Sequence, residues 1–384
     1  MMMLSEQYRT IVLPPHAEAL RQEVRDFLQE TLGDYPSTKR MESWMGFDAG
    51  FTRKLAGRGW IGMTWPKEYG GHGKDAFSRY VLVEELLAFG APVLAHWTAD
   101  RQSGPLILHY GTEEQKQRHL PAICRGESFF CIGMSEPDSG SDLAAARTRA
   151  VKVDGGWVMN GTKLWTTNAH RCQWMIALVR TSDHDKKHKG LSQFIVDLHA
   201  PGVTIRPIRD LAGESHFNEV VFQDVFLPDD SLIGAEGDGW GQVLAELALE
   251  RSGPERYLSS AALMTELLRM AGTNPGARAS ATVGALLAEM VVLRQMSLSI
   301  AGQLEAGQSP NVEAACVKDL GTLLEQRLPE VAHELFEELP SVQGGSDYAR
   351  VLAYITQVTP SFSLRGGTRE ILRGIIAKGV GLGS

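Results

Sequence analysis

The stretch CIGMSEPDSGSDLAAARTRA, Cys131 to Ala150, marks the point at which the chain stops reading as helix and begins to read as strand. Its centre, Ser139-Gly140-Ser141, is made of small residues that expose backbone N–H groups and hydroxyls in a tight loop. Such a loop suits a phosphate or the edge of an electron-rich heterocycle. Immediately afterwards Val151 and Val153, then Trp157 and Met159, alternate about an Asp154-Gly155-Gly156 turn, the pattern of a β-hairpin. Further short apolar runs, QWMIALVRT, SQFIVDL, VTIRPI and NEVVFQDVFLP, extend the strand pattern to about Pro228.

On either side the texture is helical. HAEALRQEVRDFLQE and RYVLVEELLAF repeat apolar residues at helical spacing before the loop, and WGQVLAELALERS, ALLAEMVVLRQMSLSIAGQLEAG and EILRGIIAKGVGL do so after the strands. The expected architecture is α+β and multidomain: an N-terminal helical domain over 1–126, a middle β domain of barrel or sandwich type over 127–230, and a C-terminal helical bundle over 231–384.

The 384 residues carry a formal net charge of −8, which argues against nucleic acid or an anionic membrane as main partner. The four cysteines, Cys124, Cys131, Cys172 and Cys316, show no CxxC spacing, so neither a zinc site nor a disulfide framework is indicated, and a cytoplasmic location is expected. The start lacks the apolar core of a signal peptide, and runs such as WMIALV are too short to span a membrane. The polar tract TSDHDKKHKG, 181–190, reads as a solvated loop.

A second informative segment is NGTKLWTTNA, where Asn160-Gly161 is expected to turn a hairpin. Trp165 and Thr167, two apart on a strand, share a face and offer a flat stacking surface beside a hydroxyl. That pairing suits a flavin ring whose N5 takes part in a hydrogen bond.

With these segments the sequence resembles the acyl-CoA dehydrogenase family. The resemblance rests on GWIGMTWPKEYGG, MSEPDSGSDL, NGTKLWTTNA, FNEVVFQDVFLPDDSLIGAEGDGW, LALERS and GGTREILRGIIAKG, in family order along nearly the whole chain. It implies a helical domain, a β domain and a C-terminal four-helix bundle enclosing FAD. It further implies that Met134 and Ser135 meet the flavin edge, that Ser141 reaches the phosphates, that Trp165 and Thr167 flank the isoalloxazine, and that Thr368 belongs to the cofactor set. The implied reaction, a step of lipid degradation, is α,β-dehydrogenation of an acyl-CoA thioester. A carboxylate removes the α-proton, the β-carbon passes hydride to the flavin, and hydrogen bonds to the thioester oxygen stabilise the enolate-like charge.

In many family members the base is a Glu immediately before the Gly-Thr of the last motif. This sequence has Gly366 there. The glycine leaves an N–H for the thioester oxygen and no side chain. A subset resembling isovaleryl-CoA and long-chain acyl-CoA dehydrogenases carries the base in an "ER" pair on a C-terminal-domain helix, at the position of Glu250-Arg251. Glu250 is therefore the expected base and Arg251 a substrate-binding residue, with Glu246 one turn earlier as the alternative. Pro254, read as lying inside the helical pattern, is expected to bend the chain and direct Glu250 inward.

The Arg-x-x-Phe-Gly and Gln-x-x-Gly-Gly stretches with which many relatives hold the distal end of FAD are absent. RMAGTNPGARAS and LPSVQGGSDYARVL stand in those regions, with Arg278 or Gln343-Gly344-Gly345 as substitutes. The resemblance implies an electron-transfer flavoprotein as acceptor and a homo-oligomer, dimer or tetramer, or else a hetero-oligomer with a second dehydrogenase-like chain. A flavin oxidase or monooxygenase of the same fold, and a non-catalytic partner subunit, are the alternatives. Trp97, Phe362 and Leu364 are the residues expected to shape the acyl pocket.

Overall fold

A computed structural model describes residues 7–382, with the side chains of residues 246–250 outside the described set. The expected order of helices, then strands, then helices is the one observed: helices from Pro15 to Cys124, eight strands from Phe130 to Ile233, and helices from Gly239 to Gly379. Packing joins these segments across the sequence into two compact units. One comprises Met1–Phe47, Lys74–Leu94 and Glu250–Ser384, the other Asp48–Gly73 and Ala95–Leu249.

The strand-bearing unit holds β1 (Phe130–Gly133), β2 (Arg149–Val153), β3 (Gly156–Thr167), β4 (Trp174–Arg180), β5 (Leu191–Asp197), β6 (Val203–Ile208), β7 (Phe217–Pro228) and β8 (Leu232–Ile233). They form one sheet in the order β6-β7-β3-β2-β4-β5-β8, with β1 parallel to β4. The two long strands, β3 and β7, run antiparallel along most of their length. β4 and β5 are almost continuously buried, as their unbroken apolar runs require. The helix Glu113–Cys124 opens with a capping box, in which Thr112 accepts from the Gln115 N–H and Gln115 accepts from the Thr112 N–H.

The strands add one detail to the sequence reading and overturn one expectation. The β2–β3 hairpin turns at Asp154-Gly155, with Gly155 at φ +74, but Val151 and Val153 face outward at 54% and 38% exposure while Ala150 is buried. Asn160-Gly161 is not a hairpin turn; it is a bulge inside β3, where the register to β7 shifts between Met159 and Gly161. The physical reason lies across the ladder. Asn160 Nδ2 donates to Asp224 Oδ1 at 3.0 Å and its Oδ1 accepts from the Asp224 N–H at 2.9 Å, so the asparagine pairs with β7 instead of closing a turn. Gly161 takes φ +146, and a Cβ there would fall 2.6 Å from Thr148 Oγ1.

In the helical unit the helix Ala277–Glu305 is long and apolar enough to cross a membrane by composition alone. It packs instead against the helices Asn311–Leu335 and Ala76–Phe89, burying Leu286, Leu293, Leu298 and Ile300. An ion-pair network ties this packing together. Arg294 Nε donates to Glu84 at 2.6 Å, Arg21 donates to Glu84 at 2.9 Å and to Glu85, and Arg25 donates to Glu85 at 2.7 Å. Four ion pairs on two carboxylates, shared among three helices, hold their relative register better than isolated surface pairs do.

Two glycine substitutions separate strain from propensity. Gly161→Ala, forced into a close contact at positive φ, is expected to lower unfolding free energy by about 1–3 kcal/mol. Gly284→Ala, on an exposed helix position with nothing within 4 Å, is expected to raise it by about 0.5–1 kcal/mol. Urea unfolding of the two variants beside the wild type reads both signs in one experiment.

Candidate functional site

The expected cofactor residues of the strand-bearing unit lie on two chain segments that the fold ties directly together. The first, Met134 to Asp142, leaves the end of β1. Its turn is tight: the Glu136 N–H donates to the Ser139 carbonyl at 2.8 Å, the Ser139 N–H donates back to the Glu136 carbonyl at 3.1 Å, and Ser139 Oγ donates to the Asp142 carbonyl at 2.7 Å. Met134 packs its side chain against the buried cluster of Ala146, Leu178, Leu191 and Val243. Ser141 is exposed at the tip.

The second segment is the end of β3. A second register shift, between Lys163 and Thr166, interrupts the ladder with β7. Inside it Trp165 sits at φ +60, a left-handed conformation that a bulky residue adopts only when its surroundings impose it. The side chain is 56% exposed, edge-on to Phe217 at 6.1 Å between ring centroids. Thr166 is buried and Thr167 half-buried, so Trp165 and Thr167 lie on the more open face as expected. The Leu164 N–H donates to the Ser135 carbonyl at 2.8 Å, which places the two segments side by side.

Beside this strand end is a set of buried polar atoms with no partner: Thr166 Oγ1, both amide atoms of Asn168, and His216 Nε2. These residues are only 1%, 3% and 8% exposed. Burial lowers the pKa of His216, so its ring is held neutral. A polar ring laid against Trp165 and Thr167 meets a strand end that is strained, open on one face and underlain by unused hydrogen-bonding capacity. That donor and acceptor set fits a flavin.

In the helical unit the corresponding feature is the turn Arg365-Gly366-Gly367-Thr368. Gly366 and Gly367 take φ +67 and +98, which glycine alone adopts without strain. Arg251, 7% exposed, donates from Nε to the Gly366 carbonyl at 2.9 Å. A Cβ on Gly367 would lie 3.4 Å from the same guanidinium. Arg365 lies 4.1 Å over Phe362 and 4.6 Å over Trp44, and donates to Ser259 Oγ at 2.8 Å and Glu325 Oε2 at 3.1 Å. Burial pushes the Glu325 carboxyl up, and Arg365 opposes that shift. Thr368 stands at the N-cap of the helix Arg369–Gly379, and the Glu370 backbone N–H, followed by the Thr368 hydroxyl, holds the Glu370 carboxyl below its ordinary range.

The helix Gly239–Glu250 stops at Glu250, and Pro254 begins a separate 3-10 turn, so the proline follows the helix end and does not bend it. The side chains of Glu250 and Glu246 lie outside the described residues. Of the other residues singled out from the sequence, Trp97 and Phe362 are buried and Leu364 is 65% exposed. Arg278 donates to the Glu334 carbonyl at 3.0 Å, and Gln343-Gly344-Gly345 lies on an exposed turn.

Residues 14–127 match the acyl-CoA dehydrogenase N-terminal domain and residues 131–225 the acyl-CoA dehydrogenase middle domain. The chain belongs to the acyl-CoA dehydrogenase family. It is 35% identical over 332 residues to acyl-CoA dehydrogenase FadE34 of Mycobacterium tuberculosis, an alignment covering 84% of this chain and 45% of FadE34. The chain thus spans less than half the length of that relative. Against FadE29 of the same organism it is 30% identical over 379 residues, covering 96% of this chain and 97% of FadE29. Among solved structures, the ChsE4-ChsE5 complex from Mycobacterium tuberculosis superposes with a TM-score of 0.85 at 28% identity, covering 98% of this chain and all of that one. Members of the family are flavoprotein oxidoreductases, in keeping with the strand-bearing unit described above.

The reading from sequence missed the supports of these segments: the Lys163–Glu136 pair, Asn168, His216 and Arg365. A lysine two residues before Trp165 on a strand, and a glutamate inside a serine-rich loop, are the signals that could have pointed to the first pair. Substituting Arg251 by Met, which keeps much of the bulk and loses the donor, is expected to cost about 1–3 kcal/mol of unfolding free energy by leaving the Gly366 carbonyl without its charged partner. Thermal unfolding beside Arg251→Lys measures it, with lysine recovering part of the loss.

Proposed function

We propose that the chain catalyses α,β-dehydrogenation of an acyl-CoA thioester with FAD as bound cofactor, forming the trans-2-enoyl thioester. The observation that carries this reading is the strained and open Trp165, with Thr167 on its face and the Ser135 carbonyl bonded to the adjacent Leu164 N–H. In this reading Met134 and Ser135 meet the flavin edge, Ser141 reaches the phosphates, Trp165 and Thr167 flank the ring, and Thr368 completes the cofactor set. FAD, when bound, supplies the two-electron acceptor for the hydride leaving the β-carbon.

The chain's own residues supply the rest. Glu250 takes the α-proton. The Gly366 N–H is offered to the thioester oxygen, where charge develops as that proton leaves. Arg251 serves the substrate through the turn it holds: with the Gly366 carbonyl fixed by its guanidinium, the orientation of the glycine peptides is fixed as well. The paired positive φ values favour glycine at both positions, so the turn carries no side chain at 366 or 367.

The reading extends to partners. Electrons are passed on to an electron-transfer flavoprotein. The helix Ala277–Glu305 leaves Val291 and Val292 more than half exposed, and such an apolar face supports assembly into a homo-oligomer, or into a hetero-oligomer of the kind that the similar ChsE4-ChsE5 structure represents. A cytoplasmic location accompanies it, supported by four buried cysteines that are all free thiols.

The test has two stages. The purified chain is expected to be yellow or to take up FAD, and its flavin to bleach anaerobically with a member of an acyl-CoA panel; a colourless chain that takes up none contradicts the reading. Glu250→Gln is then expected to keep FAD and thioester binding while flavin reduction falls about 10²–10⁴-fold, the usual worth of a general base. Glu246→Gln is expected to stay near wild type. Reduction at the wild-type rate in Glu250→Gln moves the base to Glu246.

A further inference from the structure

We propose that the buried Glu136–Lys163 ion pair is the positioning device of the flavin seat, holding the Met134–Ser135 peptide in the orientation that presents its N–H to the cofactor. The inference rests on the flavin reading of the 134–142 loop and the β3 end, and adds residues to which that reading gave no role. Lys163 Nζ donates to Glu136 Oε1 at 2.7 Å and to the Met134 carbonyl at 3.1 Å. The lysine side chain is fully buried and the glutamate 7% exposed. The same carboxylate accepts from the N–H groups of Arg147 at 2.7 Å and Thr148 at 3.0 Å. One buried charge pair therefore ties together the flavin loop, the approach to β2, and β3 just before the bulge that carries Trp165.

The peptide geometry gives this pair a direction. In a trans peptide the C=O and the following N–H point opposite ways. A Met134 carbonyl drawn inward to Lys163 Nζ turns the Ser135 N–H away from the ammonium. The Ser135 carbonyl is in turn bonded to the Leu164 N–H, so both faces of the Ser135 residue are set by the adjoining residues Lys163 and Leu164. Gly133 makes room for this approach. A Cβ there would fall 2.4 Å from Met175 Sδ and 3.2 Å from Lys163 Cγ.

Packing alone is a poor reason for such a pair, because well-packed apolar residues commonly equal or exceed a buried ion pair in stability. Burial draws the Lys163 ammonium down to about 8, although Glu136 works in the opposite direction. What an apolar pair lacks is a charged donor aimed at one particular carbonyl.

The double variant Lys163→Met/Glu136→Gln removes both charges at once and so separates folding from positioning. Its apoprotein is expected to unfold within a few degrees of wild type, while the FAD dissociation constant rises about tenfold or more and the visible absorption maxima of the bound flavin shift. Glu136→Gln alone, which keeps Lys163 and its bond to the Met134 carbonyl, is expected to lose about threefold and to keep most of the wild-type spectrum. A double variant with wild-type affinity and spectrum overturns the proposal. If the double variant does not fold, Glu136→Gln decides alone, and wild-type affinity in it overturns the proposal equally. A wild-type chain that takes up no FAD overturns the flavin reading first, an outcome visible before any variant is made.

Discussion

Strand β3 is the constraint on which the strand-bearing unit depends. It pairs with β2 on one side and β7 on the other, and it accommodates two irregularities along that run. The first, at Asn160-Gly161, lets Thr148 approach a residue that has no side chain. The second, between Lys163 and Thr166, turns Trp165 out at positive φ while Lys163 stays wholly buried. A bulge adds a residue to one strand and re-aims the side chains that follow it. Here one of the two sends a lysine inward and a tryptophan outward within three positions. The strain at Trp165 is stable because the residues on both sides of it are tied down by the Ser135 carbonyl, Glu136 and Asn218, whose Nδ2 donates to the Thr166 carbonyl at 2.9 Å.

The helical unit solves a similar problem with arginines. A Gly-Gly turn is conformationally free in the unfolded chain, and fixing it costs more backbone entropy than fixing any other pair. Arg251 and Arg365 offset that cost from the two sides of the turn, one through the Gly366 carbonyl, the other through Glu325, Ser259 and the rings of Phe362 and Trp44. Lys318 Nζ, also buried, bonds to the Phe362 carbonyl at 2.9 Å and extends the support upstream. The absence of a carboxylate at 366 is thus accompanied by a backbone held in place by buried cations.

The helices and strands were legible because their apolar periods are long and are punctuated by glycine and proline, as at Asp154-Gly155 between β2 and β3. Trp165 and Thr167 were placed on one face by alternation alone, which holds from exposed Trp165 through buried Thr166 to half-buried Thr167 although Trp165 itself sits inside the bulge. Asn160-Gly161 was misread because a dipeptide reports its own turn preference and not the partner strand; only the contacts to Asp224 and Thr148 make it a bulge. Val151 and Val153 face outward for a related reason, since period two says which residues share a face but not which face is covered. Lys163 was passed over because a lysine in a strand ordinarily reads as solvated, and its burial depends on a glutamate in another segment.

Amide hydrogen–deuterium exchange of the full chain with and without FAD tests the central claim most directly, because it locates the cofactor without relying on turnover. The account predicts slower exchange on FAD addition in two stretches, 133–142 and 163–169, and no change in the solvated tract 181–190. Uptake of FAD with those two stretches exchanging as in the free chain would contradict it.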